Sequence, residues 1–370
     1  MSRVLVTGGA GFIGSHLVDG LLASGREVRV LDAFVEQTHG SSPRELPPEV
    51  EVIKGDVRDR DVVEKCLEGI EVVYHLAAEV GVGQSMYEIH RYVDANTRGT
   101  AVLLEAIVER RRQIKKLIVA SSMSIYGEGA YACPKCGPVA PTSRAAAQFE
   151  AQDWELHCPD CNSALAAAPT PETKPLDPTS VYAVGKQDQE QLCLIVGRAY
   201  GVPTVALRYF NIYGVGQALS NPYTGAVAIF ASRLLNGQPP LIFEDGLQSR
   251  DFTNVADVVQ ANLLALESDV ANYKAINVGT GVATPIAQVA RMLAEGLGLK
   301  IEPTIVGKFR EGDIRHCVAD IARAKELLGY QPTARLADGI PPLLEWVKRQ
   351  SANDAVNQAT DELKSRGLVR

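Results

Sequence analysis

Through the first half of the chain, short runs of aliphatic residues alternate with longer stretches of mixed polarity. Val4-Leu-Val6, Val28-Arg-Val-Leu31, Val52-Ile53, Val72-Val-Tyr74 and Leu117-Ile-Val-Ala120 are each followed by glycine, small or acidic residues. Runs of this length without strict alternation predict strands buried on both faces, as in a parallel sheet covered by helices. The intervening segments carry helical apolar stripes, for example Val102, Leu103 and Ala106 around residues 90–112, and Leu192 and Ile195 around 182–199. Strand and helix in alternation predict an α/β fold with a doubly wound parallel sheet.

The first strand runs directly into Thr7-Gly-Gly-Ala-Gly-Phe-Ile-Gly14, and a helix is predicted from Ser15. Gly8, Gly11 and Gly14, with Phe12 and Ile13 between the last two, suit a tight turn. Such a turn brings backbone N–H groups and a helix N-terminus close to a pyrophosphate. The second strand ends in Asp32, whose carboxylate suits an adenosine ribose and repels a 2′-phosphate, favouring NAD over NADP. Later strand ends add Asp56 and Val57, expected near an adenine edge. They also add the small-residue stretch Leu76-Ala77-Ala78, which lets a cofactor lie against the backbone.

Ser121-Ser-Met-Ser-Ile-Tyr126 closes a further strand at the carboxyl edge, where α/β sheets bind ligands. Downstream, Tyr182 and Lys186 in Ser180-Val-Tyr-Ala-Val-Gly-Lys186 stand one helical turn apart and share a face. A cation beside a phenol favours its anion, which gives an oxygen base near neutral pH.

Composition narrows the field. At 370 residues the chain exceeds one typical domain, which leaves room for a second, smaller region. A net charge of −7 argues against a nucleic-acid groove. No apolar run is long enough to span a membrane. The first strand starts close to Met1, leaving no space for a signal peptide, so a cytoplasmic location is expected.

The cysteines are patterned: Cys133-Pro-Lys-Cys136 and Cys158-Pro-Asp-Cys161 form two knuckles between the serine strand and the Tyr182 helix. Paired knuckles suit four-thiolate coordination of a structural Zn²⁺, and two pairs fit a metal better than a redox dithiol. The segment holding them, residues 129–172, has few basic residues, against a nucleic-acid ribbon. It is expected to form a zinc-stapled lobe beside the active crevice. Cys66, Cys193 and Cys317 fall outside the pattern and read as buried thiols.

Taken together, Thr7-Gly-Gly-Ala-Gly-Phe-Ile-Gly14, His75-Leu-Ala-Ala78, Ser121-Ser-Met-Ser-Ile-Tyr-Gly127, Tyr182-Ala-Val-Gly-Lys186, Arg208-Tyr-Phe-Asn211, Arg250-Asp-Phe252 and Arg310-Glu-Gly-Asp313 resemble the extended short-chain dehydrogenase/reductase superfamily. The likeness is to its nucleotide-sugar epimerase and dehydratase branch, and it runs from residue 3 to about 345 with the cysteine segment as an interruption. The resemblance implies a catalytic set of Ser122, Tyr182 and Lys186. It implies NAD held by the glycine turn, Asp32, Asp56, Val57, Leu76–Ala78, Asn96, Tyr182 and Lys186. It also implies a sugar nucleotide held by Ser124, Asn211, Arg250, Arg310 and Asp313.

Met123 and Ser124 stand where 4,6-dehydratases of the branch carry acids, and no cysteine marks a 3,5-epimerase, so 4-epimerisation is the implied reaction. The finer likeness, through Ser121–Gly129 and the cysteine segment, is to the dTDP-L-rhamnose 4-epimerases, which make dTDP-6-deoxy-L-talose. UDP-hexose or UDP-uronate 4-epimerisation is the alternative, ahead of a dehydratase or a non-catalytic NAD sensor. The expected organisation is a Rossmann domain over 1–205 interrupted by residues 129–172, a substrate region over 206–350 and a polar tail over 351–370. Pairing of the 90–112 and 182–199 helices in a homodimer is implied by the resemblance.

Overall fold

A computed structural model describes residues 3–39, 44–350 and 352–369. Its centre is a seven-stranded parallel sheet. From one edge to the other the strands are Lys274–Val278, Thr204–Tyr209, Lys116–Ser122, Val72–His75, Arg3–Thr7, Glu27–Asp32 and Glu51–Lys54. Side chains alternate across it. Val4, Val6, Val28 and Val30 face one core with Leu17, Leu21, Val258 and Ala261 from the helices Phe12–Ala23 and Val255–Glu267. Leu5, Leu31, Val73 and Val119 face the other, against Leu103, Ile107, Cys193 and Leu194 of the helices Gly99–Glu109 and Val181–Tyr200. Burial on both faces is why the inner strands read as apolar runs, whereas the edge strand Glu51–Lys54, expected to be buried, leaves Val52 exposed.

The chain leaves this sheet after Tyr209 and returns to it once, with Lys274–Val278 beside Thr204–Tyr209. A second sheet holds Asn211–Tyr213, Ser249–Asn254, His316–Ala319, Ala166–Thr170, Ala130–Cys133 and Gly137–Val139, in that order. Its last three strands come from the cysteine segment. That segment was expected to stand as a lobe of its own, but its strand Ala166–Thr170 pairs in parallel with His316–Ala319, so it extends the substrate-side sheet. Its private core is small: Tyr131, Cys133, Leu156, Cys158 and Leu165.

Two local features bear on the site. The stretch read as a helix over 90–112 is broken by a π-turn at Asp94–Arg98 between Ile89–Val93 and Gly99–Glu109. The wider turn aims the buried Asn96 at the loop after Val72–His75, where it bonds both N–H and C=O of Glu79. The tail forms a helix, Val356–Ser365, that packs Ala359 and Leu363 inward. No helix among the described residues is long and apolar enough to cross a membrane.

Candidate active site

The glycine turn is built by close approach. Gly8 sits at φ +70° with its ideal Cβ position 2.9 Å from the Ala77 nitrogen, and a Cβ on Gly14 would lie 2.2 Å from the Gly8 carbonyl. No side chain caps the helix that starts at Phe12, so its first turn points N–H groups outward, which fits a pyrophosphate. Asp32 is held beside this turn by N–H groups of Ala10 and Phe34 at 2.9 Å, and by His39 at 3.1 Å. Burial alone would raise its carboxyl, but these bonds outweigh it and keep the group ionised below the usual range. Asp56 is engaged elsewhere: Arg58, bridging to Asp94, holds its carboxylate and lowers it. Val57 packs in the core against Gly99.

The serine at the end of Lys116–Ser122 and the helix Val181–Tyr200 bring the three proposed catalytic groups together. Ser180 caps that helix by accepting from the Ala183 N–H, and Gly201 closes it at φ +70°. Tyr182 is oriented by its N–H on the Ser85 hydroxyl, and its phenol shares a hydrogen bond with Ser122. Burial pushes the phenol up, and the Ser122 bond draws it partly back. Ser124 donates to Ser122 at 2.9 Å.

Lys186 is 4% exposed, and burial lowers its ammonium to about 8. It bonds Gln189 at 2.8 Å, and Gln189 reaches Thr100, the Ala77 carbonyl and His75. His75, pushed down to about 3 by burial, is neutral and spans Thr7 and Thr100. Gln189 and Ser85 were not singled out in the sequence, and His75 stood there only at the head of His75-Leu-Ala-Ala78, although Gln189 lies on the helix face of Tyr182 and Lys186 at i+7 and i+3.

From Met123 and Ser124 a cavity runs outward between the second sheet and the tail. Asn211 enters it with a buried Oδ1 that has no partner among the described residues, as expected of a group awaiting a ligand. Arg250 and Arg310 both line it. Arg250 is oriented by the carbonyls of Ser249, Ile314 and Arg315. Arg310 lies over the Phe243 ring at 4.7 Å and pairs with Asp313. Val356, Ala359 and Leu363 of the tail complete a wall that the sequence reading did not include. Leu363 approaches within 3.3 Å of the space a Cβ on Gly83 would occupy, so the glycine admits the tail.

Cys133, Cys136, Cys158 and Cys161 converge, their sulfurs all within 4.8 Å of one another. Cys133 and Cys161 are 3.5 Å apart. Four thiolates about 2.3 Å from a tetrahedral zinc lie roughly 3.8 Å apart, so the donor set and its spacing fit that ion.

Residues 4–152 and 160–279 match the model of the NAD dependent epimerase/dehydratase family. Over 94% of the chain and 95% of the relative, the sequence is 35% identical to a dTDP-L-rhamnose 4-epimerase of Burkholderia thailandensis. The fold is similar to a UDP-glucose 4-epimerase of Thermotoga maritima crystallised with UDP-glucose, with a TM-score of 0.76 and 33% identity over 94% of this chain and 99% of that one. It is also similar to a Thermus thermophilus UDP-glucose 4-epimerase in complex with NAD, with a TM-score of 0.74 and 32% identity over the same shares. A glycine turn beside an ionised Asp32, Ser122 beside Tyr182, a buried Lys186 one helical turn on, and matches of this length together place the chain in the NAD dependent epimerase/dehydratase family.

Proposed function

We propose that the protein is an NAD-dependent nucleotide-sugar 4-epimerase acting on dTDP-L-rhamnose to give dTDP-6-deoxy-L-talose. Ser122, Tyr182 and Lys186 are the catalytic groups in this reading. Tyr182 takes the proton of the C4 hydroxyl and later returns it, while Ser122 holds the same oxygen by a hydrogen bond. Lys186 keeps positive charge behind the phenol. Bound NAD supplies a reversible hydride acceptor, so a 4-keto sugar forms and is reduced from its other face with no net redox change. Gly8, Gly11, Phe12, Ile13, Gly14, Asp32, Val57, Leu76–Ala78 and Asn96 hold the cofactor, and Asp56 joins them if Arg58 yields its carboxylate. Asn211, Arg250 and Arg310, with Asp313 and Ser124, hold the sugar nucleotide.

The observation that carries 4-epimerisation is the pairing of Ser122 with Tyr182 where the next side chains are Met123 and Ser124, neither able to drive loss of water. The 6-deoxy sugar is favoured by apolar groups in the cavity lining, Val82, Met86, Met123 and Leu363, which suit a methyl group. Proton NMR of the protein with dTDP-L-rhamnose and no reductant tests both. The C4 epimer should appear to a fixed ratio without accumulating NADH; an unchanged spectrum rejects the rhamnose substrate. Likeness to the Thermotoga protein, crystallised with UDP-glucose, makes UDP-hexoses the second reading.

Zn²⁺ in the four-cysteine cluster is part of the proposal, as a structural ion. A homodimer is the proposed assembly, built on the helix face where Ile89, Val93, Val184 and Ile195 are exposed.

A further inference from the structure

Arg315 is fully buried, yet three carboxylates converge on its guanidinium. Glu155 accepts at 3.0 Å, Glu244 at 3.0 Å and Asp245 at 2.6 and 2.9 Å. Its backbone N–H is held by Glu128 at 2.8 Å. Arg144 reaches the other oxygen of Glu244 at 2.7 Å and donates to the Trp154 carbonyl. Phe149 stacks on Phe309 with centroids 4.1 Å apart and rings nearly parallel. His316 bridges Ser249 and Glu155.

Sorted by origin, these contacts have one direction. Arg144, Phe149 and Glu155 belong to the cysteine segment. Their partners are Glu244, in the loop before the strand Ser249–Asn254 that holds Arg250, and Phe309 and Arg315, in the loop that holds Arg310. Phe309 is adjacent to Arg310. The Arg315 and Ile314 carbonyls orient Arg250. Glu244 stands beside Phe243, the ring under Arg310, and keeps a left-handed backbone at φ 54° that both arginine bonds pin. A charge-dense buried network of this kind is costly and its close pairing fixes one geometry; within it, Arg144 Nε alone lacks a hydrogen bond among the described residues, with the Glu128 carboxylate 3.8 Å away.

We propose that the cysteine segment is a positioning device for the substrate's diphosphate, acting through Glu155 and Arg144 on the loops that aim Arg250 and Arg310. Neither Glu155 nor Arg144 is a catalytic residue here; both act through others. The inference rests on the sugar-nucleotide reading of the cavity.

The test is calorimetric binding of dTDP and of UDP to the NAD-loaded full chain, for the wild type, Glu155→Gln and Phe149→Leu. Glu155 is partly exposed, so its variant should fold; Phe149→Leu loosens the same loop without removing charge. Each variant should bind the nucleotide about tenfold or more weakly, with KM rising in step, while kcat and NAD content stay within about twofold of wild type. Wild-type affinity in both variants overturns the positioning role. Equal losses of kcat, NAD content and melting temperature also overturn it, since they mark a general structural defect. A wild type that binds neither nucleotide overturns the sugar-nucleotide reading itself, which separates the two failures.

Discussion

Lys186 is the side chain whose environment most constrains the chemistry. Burial lowers its ammonium to about 8, against an ordinary value near 10.4. Its positive charge is therefore about nine-tenths present at neutral pH and lost as pH rises through about 8. In the proposed mechanism that charge supports the Tyr182 phenolate, so kcat/KM should fall on the alkaline side with an apparent pKa near 8. Lys186→Arg should move that limb above pH 10, at a lower plateau, as read from a pH–rate profile. For folding the sign is opposite. The native state sheds this proton at lower pH than the unfolded chain, so the group's unfavourable contribution is present below about 8 and relieved between there and about 10.4. Tyr182→Phe should lower turnover by about a hundredfold or more while NAD stays bound, checked by steady-state rates and the absorbance of released cofactor. The residues behind these effects were legible to different degrees. Tyr182 and Lys186 announce themselves by i, i+4 spacing. Gln189, which bonds Lys186, shares its helix face at i+3, but the bond itself emerges only from packing, and Ser85, which orients Tyr182, has no spacing signal at all.

Among the elements, the buried strands were readable because both of their faces are covered, whereas the cysteine segment was only half readable. Its two knuckles predict the convergence of four sulfurs, but nothing in local pattern predicts that Ala166–Thr170 pairs with His316–Ala319. Likewise, the π-turn at Asp94–Arg98 has no periodic signature distinguishing it from helix, and the tail's Leu363 gives no hint that it walls a cavity. The cluster carries its own prediction. Protein purified without chelator should hold close to one zinc per chain by metal analysis. Removing it should open residues 133–161 to protease and weaken nucleotide binding, because five buried residues make too small a core to stand without a staple. Zinc below about half an equivalent would sink the assignment.

For the whole molecule, the exposed apolar face on Ile89–Val93 and Val181–Tyr200 leads to a test of assembly. Ile195 is 56% exposed and Val184 44%. Wild type should sediment as a dimer, and Val184→Glu with Ile195→Glu should give a monomer; an unchanged sedimentation coefficient would place any interface elsewhere. The sheet that joins the cysteine segment to the substrate side has a different consequence, for the order in which the protein folds. Thr170 meets Cys317 across 147 positions of chain. Contacts so distant in sequence form late, since a long loop must close before any of them is rewarded. A polypeptide emerging from the ribosome therefore presents its four cysteines well before the strand that joins their sheet to the substrate side exists. In that interval early metal capture by the four sulfurs would guard them against oxidation and mispairing until the last strand of the sheet arrives.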